Sequence, residues 1–440
     1  MSRPRFEVAE IFRQHGPAYR AKHALPYEQL RLMRAIEICR SAALGIHRQE
    51  CDRCHYQRFA YGSCRNRHCP KCQNSERARW LDARRGELLP VEYFHVVFTL
   101  PAAVARLARA NKAAVYSLLF RSAAQTLLTL GRDPKHLGAT LGFFAILHSW
   151  GQNLLFHPHL HCVVPGGGLG PGRQRWLRCR PGFLLPVRVL SRLFRRLFLG
   201  ALEEAFEQGE LGFPGELAAL ADPAAFAAYL APLRKIPWVV YAKPPFGGPQ
   251  QVLEYLGRYT HRVALSNERI KDFAQGQVCF EWKDYRQQHK NKHKLRRMTL
   301  AAEEFIRRFL LHALPPGFQR IRYYGFLANR GRRANLALCR QLLAAAAREQ
   351  AAAQAPTAAG LLPPAPQCQA LAPPPQAPAA PPPERCPQCQ QGHMIRLGFL
   401  PPGYPLPPGR WLGPGPVFSP GGWLGSPVST PAGCLPPPDT

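Results

Sequence analysis

Acidic residues are scarce in this chain. Only 27 Asp and Glu stand against 58 Lys and Arg, and the formal net charge is +31. Residues 1–350 alone carry 55 − 25 = +30. Folded domains with such an excess repel themselves unless a polyanion is close, so nucleic acid is the expected partner. Long hydrophobic runs are missing too. No stretch of 18 or more residues is free of charge and polarity, which excludes a transmembrane helix and with it a membrane partner. The opening "MSRPRFEVAEIFRQHG" has no apolar h-region, so a cytoplasmic protein is expected. Fourteen cysteines without a secretory signal then point to metal ligands in a reducing compartment rather than to disulfides. The glycines at 166–168 are followed by no Gly-Lys-Ser/Thr, which excludes a phosphate-binding P-loop and the helicase activity that would use one.

At 440 residues the chain can hold two or three domains. Helical spacing of apolar residues marks 27–44, two stretches within 102–131, 187–206, 249–262 and a segment from a cap-like Thr299. Strand patterns mark 93–100, 141–150, 157–166 and three later stretches, "IPWVVYAK", "QVCFEWKDY" and "FQRIRYYGF". Strands 141–150 and 157–166, joined by a short loop, suggest an antiparallel pair. The fold class is therefore α+β. After residue 350 the character changes, because 24 of the 46 prolines fall in 361–440 with almost no charge. Such a composition reads as a disordered tail. The expected division is 1–90, 91–345 and a tail 346–440.

In "CDRCHYQRFAYGSCRNRHCPKCQ", Cys51-x-x-Cys54 and Cys69-x-x-Cys72 form two knuckles that together can complete a tetrahedral zinc shell. Cys64 and His68 are extra candidates, with Cys39, His47 and His55 behind them. Arg65, Arg67 and Arg77 in and after this cluster are candidate phosphate contacts. Cys386-x-x-Cys389 with His393 is half of a similar motif without an evident partner half.

The stretch "HSWGQNLLFHPHLHCVVPGGG" places His157, His159 and His161 at alternate positions. On a strand they share one face, with Leu160 turned into the core. His159 and His161 could then grip one metal ion. His148, on the preceding strand, is the candidate third ligand, with Gln152 its rival. His157 is assigned a positioning or DNA-contact role.

"EYLGRYTHRVALSN" carries Tyr255 and Tyr259 four apart on an expected helix, flanked by Arg258, His261 and Arg262. A tyrosine oxygen can attack a phosphodiester that a divalent ion polarises. Taken with "SCRNRHCPKCQ", "YFHVVFTLP", "WKDY" and "RIRYYGFLAN", these motifs resemble the rolling-circle two-tyrosine HUH (His-hydrophobic-His) transposases typified by insertion sequence ninety-one. The resemblance spans about residues 5–335.

The resemblance implies an N-terminal zinc-binding domain and an HUH-type catalytic domain with a central antiparallel sheet flanked by helices. It implies structural Zn²⁺, and catalytic Mg²⁺ or Mn²⁺ bound by His159 and His161. Tyr255 and Tyr259 would be nucleophiles that nick and rejoin single-stranded DNA through 5′-phosphotyrosine. The implied partners are single-stranded and duplex DNA at the ends of a mobile element, with host replication factors besides. The implied setting is the nucleoid of a bacterial cytoplasm. A plasmid relaxase or replication initiator with the same chemistry is the alternative, as is a non-enzymatic zinc protein that binds nucleic acid.

Overall fold

The computed structural model describes residues 4–243, 251, 264–289, 292–354 and 384–403. In chain order the elements begin with α1 (Val8–Lys22), α2 (Tyr27–Glu37), β1 (Ile46–Cys51), β2 (Gln57–Tyr61), α3 (Pro70–Arg85) and β3 (Tyr93–Thr99). Next come α4 (Ala102–Ala110), α5 (Lys112–Arg132), β4 (Gly142–Trp150), β5 (Phe156–Pro165), β6 (Gly167–Leu169) and β7 (Trp176–Arg178). Then follow α6 (Val187–Glu207), α7 (Pro223–Lys235), β8 (Val240–Lys243), β9 (Ile270–Ala274), β10 (Gln277–His289) and β11 (Lys292–Ala301). The last are α8 (Ala302–Leu310), β12 (Ile321–Gly325), α9 (Arg332–Gln354) and β13 (Met394–Leu400). The mixture of helices and antiparallel sheets agrees with the expected α+β class.

The described residues form two compact units, one from 4–44 and from 61–354, the other from 45–60 and 384–403. These units do not follow the expected boundaries at 90 and 345. The first unit is built on a five-stranded sheet in the order β12-β4-β5-β3-β8, and every pairing in it is antiparallel. Alternation along each strand divides its residues between two faces. Phe94, Val96 and Phe98 of β3, Phe143, Ala145 and Leu147 of β4, and Leu160, Cys162 and Val164 of β5 pack into one large core. Helices α4 to α7 cover that face, bringing Leu119, Phe120, Phe194, Phe198 and Leu230. Tyr93, Phe144, Ile146 and Val163 point to the opposite face. The histidines share the parity of this second set.

A second core in the same unit joins α1 and α2 to β9, β10 and α8, with Phe12 edge-on to Phe309 at 5.4 Å. Cys39, Cys69, Cys72, Trp150 and Leu154 also enter it. The N-terminal helices therefore share a core with residues 264–313.

Several expected elements take different bounds. The helix expected over 27–44 stops at Glu37, and the following turn brings Cys39 into the second core. Thr299 lies in β11, opposite Cys279, and α8 begins only at Ala302 with Ala301 at its N-cap. Gly167 has φ +150, and a Cβ there would lie 2.4 Å from the Leu177 carbonyl oxygen. A side chain has no room where β6 meets β7. Within the expected tail, residues 384–403 are folded and β13 pairs with β1. Among the described residues, no helix is long and apolar enough to cross a membrane.

Candidate metal centres

The histidines of β4 and β5 meet across one antiparallel ladder. His148 pairs directly with His159, and Ile146 with His161. Opposite residues in such a ladder project on the same face. The ring nitrogens of His148, His159 and His161 accordingly lie within 4.8 Å of one another, a span that one ion can bridge. Leu160 between them is fully buried in the helix-covered core, as its parity requires. That anchor fixes the register, since a slip of one residue would turn the imidazoles inward.

Each ring is oriented by a neighbour. His159 Nδ1 lies 2.6 Å from the carbonyl oxygen of His157. With the hydrogen on Nδ1, that nitrogen donates to the carbonyl and Nε2 keeps its lone pair for a ligand bond. His161 Nδ1 lies 2.7 Å from His95 Nε2, and the two rings stack with an angle of 5° between their planes. His148 stacks on Trp150 at 4.7 Å. His148 and His161 are buried and His159 is partly exposed, so the cluster opens to solvent past His159. Burial pushes the His159 imidazole down to about 3, with the adjacent His157 adding to the effect. That direction favours the neutral ring, which is the form that ligates metal. His157 itself is exposed.

His95 was not singled out from the sequence. It sits in an apolar strand pattern, and its only signal was odd parity with the histidine face once β3 is paired to β5. Gln152, the rival third ligand, lies between β4 and β5, where its backbone carbonyl accepts from Arg269 at 2.5 Å. Tyr255 and Tyr259, with Arg258, His261 and Arg262, lie outside the described residues.

The cysteines group differently from the expectation. The sulfurs of the two knuckles lie in different groups: Cys69 and Cys72 join Cys39 and Cys64, while Cys51 and Cys54 fall in the other compact unit beside Cys386 and Cys389. In the first group, Cys39 follows α2, Cys64 lies in the loop before α3, and Cys69 and Cys72 occupy the N-cap and first turn of α3. The Cys39–Cys72, Cys64–Cys72 and Cys39–Cys69 sulfur separations are each 3.5 Å. A tetrahedron with Zn–S bonds of about 2.3 Å has edges of about 3.8 Å, so four such sulfurs fit a structural zinc ion with no open position. The thiols of Cys39, Cys64 and Cys69 hold Cys72 far below the ordinary thiol range, and the Ser63 hydroxyl donates to it at 3.0 Å. The free N–H groups at the start of α3 favour thiolate further.

Two other assignments change. His68 is not part of either sulfur group. Its Nε2 accepts from the Leu314 amide at 3.3 Å, and burial lowers its pKa well below the ordinary value. Arg67 is half-buried and donates to the carbonyls of Pro315, at 2.7 Å, and Phe318, so its guanidinium is taken up within the fold rather than offered to phosphate. Arg65 is exposed. Arg77 lies on α3, and its side chain is outside the described set.

Comparison with known proteins bears on both centres. Residues 142–335 match a family profile described as "Putative transposase", and residues 11–100 match the "Transposase zinc-binding domain". The chain is 56% identical to "Putative transposase y4qJ" of Sinorhizobium fredii over 398 residues, 90% of this chain and 96% of that protein. It is 26% identical over 302 residues to "Transposase for insertion sequence element IS801" of Pseudomonas savastanoi pv. phaseolicola, 66% of this chain and 68% of that protein. No solved structure matches. The first stretch contains the three clustered histidines, and the second contains Cys39, Cys64, Cys69 and Cys72.

Proposed function

The chain belongs to the IS91 family of transposases, and on that premise we propose that it nicks and rejoins single-stranded DNA at the ends of its element through 5′-phosphotyrosine. The observation that carries this reading is the three-imidazole cluster. Two of its rings are held at Nδ1, His159 by the His157 carbonyl and His161 by His95, and one ring nitrogen of each of the three histidines lies within 4.8 Å of the others. A closed structural zinc site would need a fourth protein donor. Three donors with a solvent-facing side suit an ion that must also hold a phosphate oxygen.

Bound there, Mg²⁺ or Mn²⁺ supplies charge neutralisation at the scissile phosphate. The chain's own residues do the rest. His148, His159 and His161 hold the ligand geometry, and His95, Trp150 and the His157 carbonyl keep the rings from turning. Tyr255 or Tyr259 attacks the phosphorus. The new bond joins the phenol oxygen to phosphorus, the bond to the 3′-oxygen breaks, and that oxygen leaves as a 3′-OH. Attack by a second 3′-OH on the phosphotyrosine reverses these bonds and rejoins strands. The two tyrosines allow two such cleavages.

Strand β8 ends at Lys243, paired with His95 of β3, and Tyr255 follows 12 residues later in the sequence. The described chain thus leaves the sheet next to the histidine-orienting strand, a short reach from the cluster. Arg65, Arg258, His261 and Arg262 are the proposed phosphate contacts, with His157 at the rim. The net charge supports binding to DNA, with an affinity that falls steeply with salt.

The test is a denaturing gel with labelled single-stranded DNA from the element's ends. A protein-linked band should form with Mg²⁺ or Mn²⁺, weaken in Tyr255→Phe or Tyr259→Phe and vanish in the double variant. A band that persists in the double variant, or DNA binding with no band at all, rules the reading out and leaves a binding protein.

A further inference from the structure

The second sulfur group unites the two ends of the chain. We propose that Cys51, Cys54, Cys386 and Cys389 bind a zinc ion of their own and close a zinc ribbon whose two knuckles lie more than 300 residues apart in sequence. This inference is independent of the DNA chemistry above. Cys386 and Cys389 lie beyond the residues that match the zinc-binding domain.

The sulfurs are spaced as a tetrahedron requires. Cys51 Sγ is 3.7 Å from Cys389 Sγ, and Cys54 Sγ is 3.6 Å from Cys386 Sγ, against about 3.8 Å for the edge of a Zn–S₄ centre. Backbone amides point at the sulfurs. Those of Arg53 and Cys54 donate to Cys51 at 3.4 and 3.5 Å, and that of Gly392 donates to Cys389 at 3.3 Å. Such donors stabilise thiolate over thiol.

The two knuckles are copies of one backbone shape. In each, the amide after the second cysteine bonds back to the carbonyl of the first: His55 to Cys51 at 3.2 Å, and Gln390 to Cys386 at 3.0 Å. His55 has φ 54 and Gln390 φ 56, a left-handed conformation that non-glycine residues rarely adopt. Arg40 after Cys39 and Arg65 after Cys64, in the other sulfur group, have φ 56 and 50. The same unusual turn thus follows four cysteines of the two groups, and the surrounding structure has to enforce it. Gly392 closes the second knuckle where a Cβ would meet Cys51 Sγ at 2.5 Å.

Each knuckle leads into the shared sheet. β1 and β13 pair antiparallel from Ile46↔Leu400 to Cys51↔Met394, with β2 on the other side of β1. The halves are further tied by Arg58 donating to both Glu384 oxygens at 2.8 and 2.5 Å, and by the His393 amide donating to Asp52 at 2.8 Å. Apolar burial is slight by contrast. Among the described residues, the unit's core is Cys51, Cys386 and Met394, with Tyr56 and Cys389 against it and Ile46 buried at the start of β1. A three-stranded sheet with so small a core needs a staple, and structural zinc is a common one. The consequence is that residues 45–60 cannot complete their fold until the C-terminal segment has been made.

The experiment is metal analysis of the full-length chain, with X-ray absorption at the zinc edge. Relative to wild type, Cys386→Ser/Cys389→Ser should hold one zinc ion fewer per chain, and Cys279→Ser should hold the same number. In the double variant, amides of 45–60 should lose hydrogen-exchange protection while those of β5 keep theirs. Unchanged zinc in the double variant overturns the proposal. Should that variant fail to fold, the wild type decides by alkylation. Cys54 is exposed, yet in the zinc-loaded protein it should resist alkylation and become reactive together with Cys51, Cys386 and Cys389 when zinc is chelated. Immediate labelling of Cys54, or a disulfide among the four, overturns the proposal as well.

Discussion

The histidine cluster and the sulfur cluster of Cys39, Cys64, Cys69 and Cys72 are both donor sets of one compact unit, and they are built in opposite ways. The histidines come from two neighbouring strands of a rigid sheet, number three, and reach solvent past His159. The cysteines come from a helix end, a loop and a helix start, number four, and are largely buried in a shared core. A closed tetrahedral shell can only hold structure together, whereas an open shell leaves room for a reacting group. Donor number and access, more than donor identity, distinguish the two proposed roles.

The largest effect is expected at the sulfurs. Cys39→Ser/Cys69→Ser should remove on the order of 10 kcal/mol of metal-linked folding free energy. The second core, which holds α1, α2 and α8 together, should then fail. The readout is the thermal melt with zinc content, and an unchanged melt would contradict a structural role. A smaller effect is expected at His95. His95→Ala leaves the three ligands in place but frees the His161 ring, and should weaken Mn²⁺ binding by about 10–100-fold with zinc retained. Equal Mn²⁺ affinity in variant and wild type would show that the stacked pair orients nothing.

The smallest effect concerns acid stability. His312 is buried between Ser149 and the Leu154 carbonyl, and burial pushes its pKa down to about 3. The unfolded chain binds its proton from about pH 6.5 downward, and the native chain only near pH 3. Between those values the unfolded state holds more protons, so native stability must fall as the pH falls. His312→Gln should flatten that part of the melting-temperature profile, and a profile of unchanged slope would count against it.

Local patterns were legible in the sequence, and constellations closed by the fold were not. His-Leu-His on a strand implied one imidazole face and a buried Leu160, and the short loop from β4 implied that His148 could cross to that face. Parity settles such questions within a dozen residues. The knuckle spacing at 51–72 could not tell which cysteines share an ion, because Cys39 hides in the pattern of an amphipathic helix and Cys386 lies hundreds of residues away. Arg67 has the composition of a phosphate contact, and only the position of Pro315 and Phe318 shows that carbonyls engage it. His95 looked like one more residue of a buried strand until β3 paired with β5.

The histidine face is the proposed seat of the chemistry, with the sulfur centres only in support. The most direct test of that assignment is single-turnover nicking of terminal single-stranded DNA by His159→Ala and His161→Ala, with zinc content and melting temperature read on the same preparations. Each variant should lose about 10³-fold or more in nicking rate, because several kcal/mol of charge stabilisation at the phosphate disappear. Zinc content should stay at the wild-type value. Nicking within a few-fold of wild type, or loss of zinc and fold in step with activity, would contradict the claim.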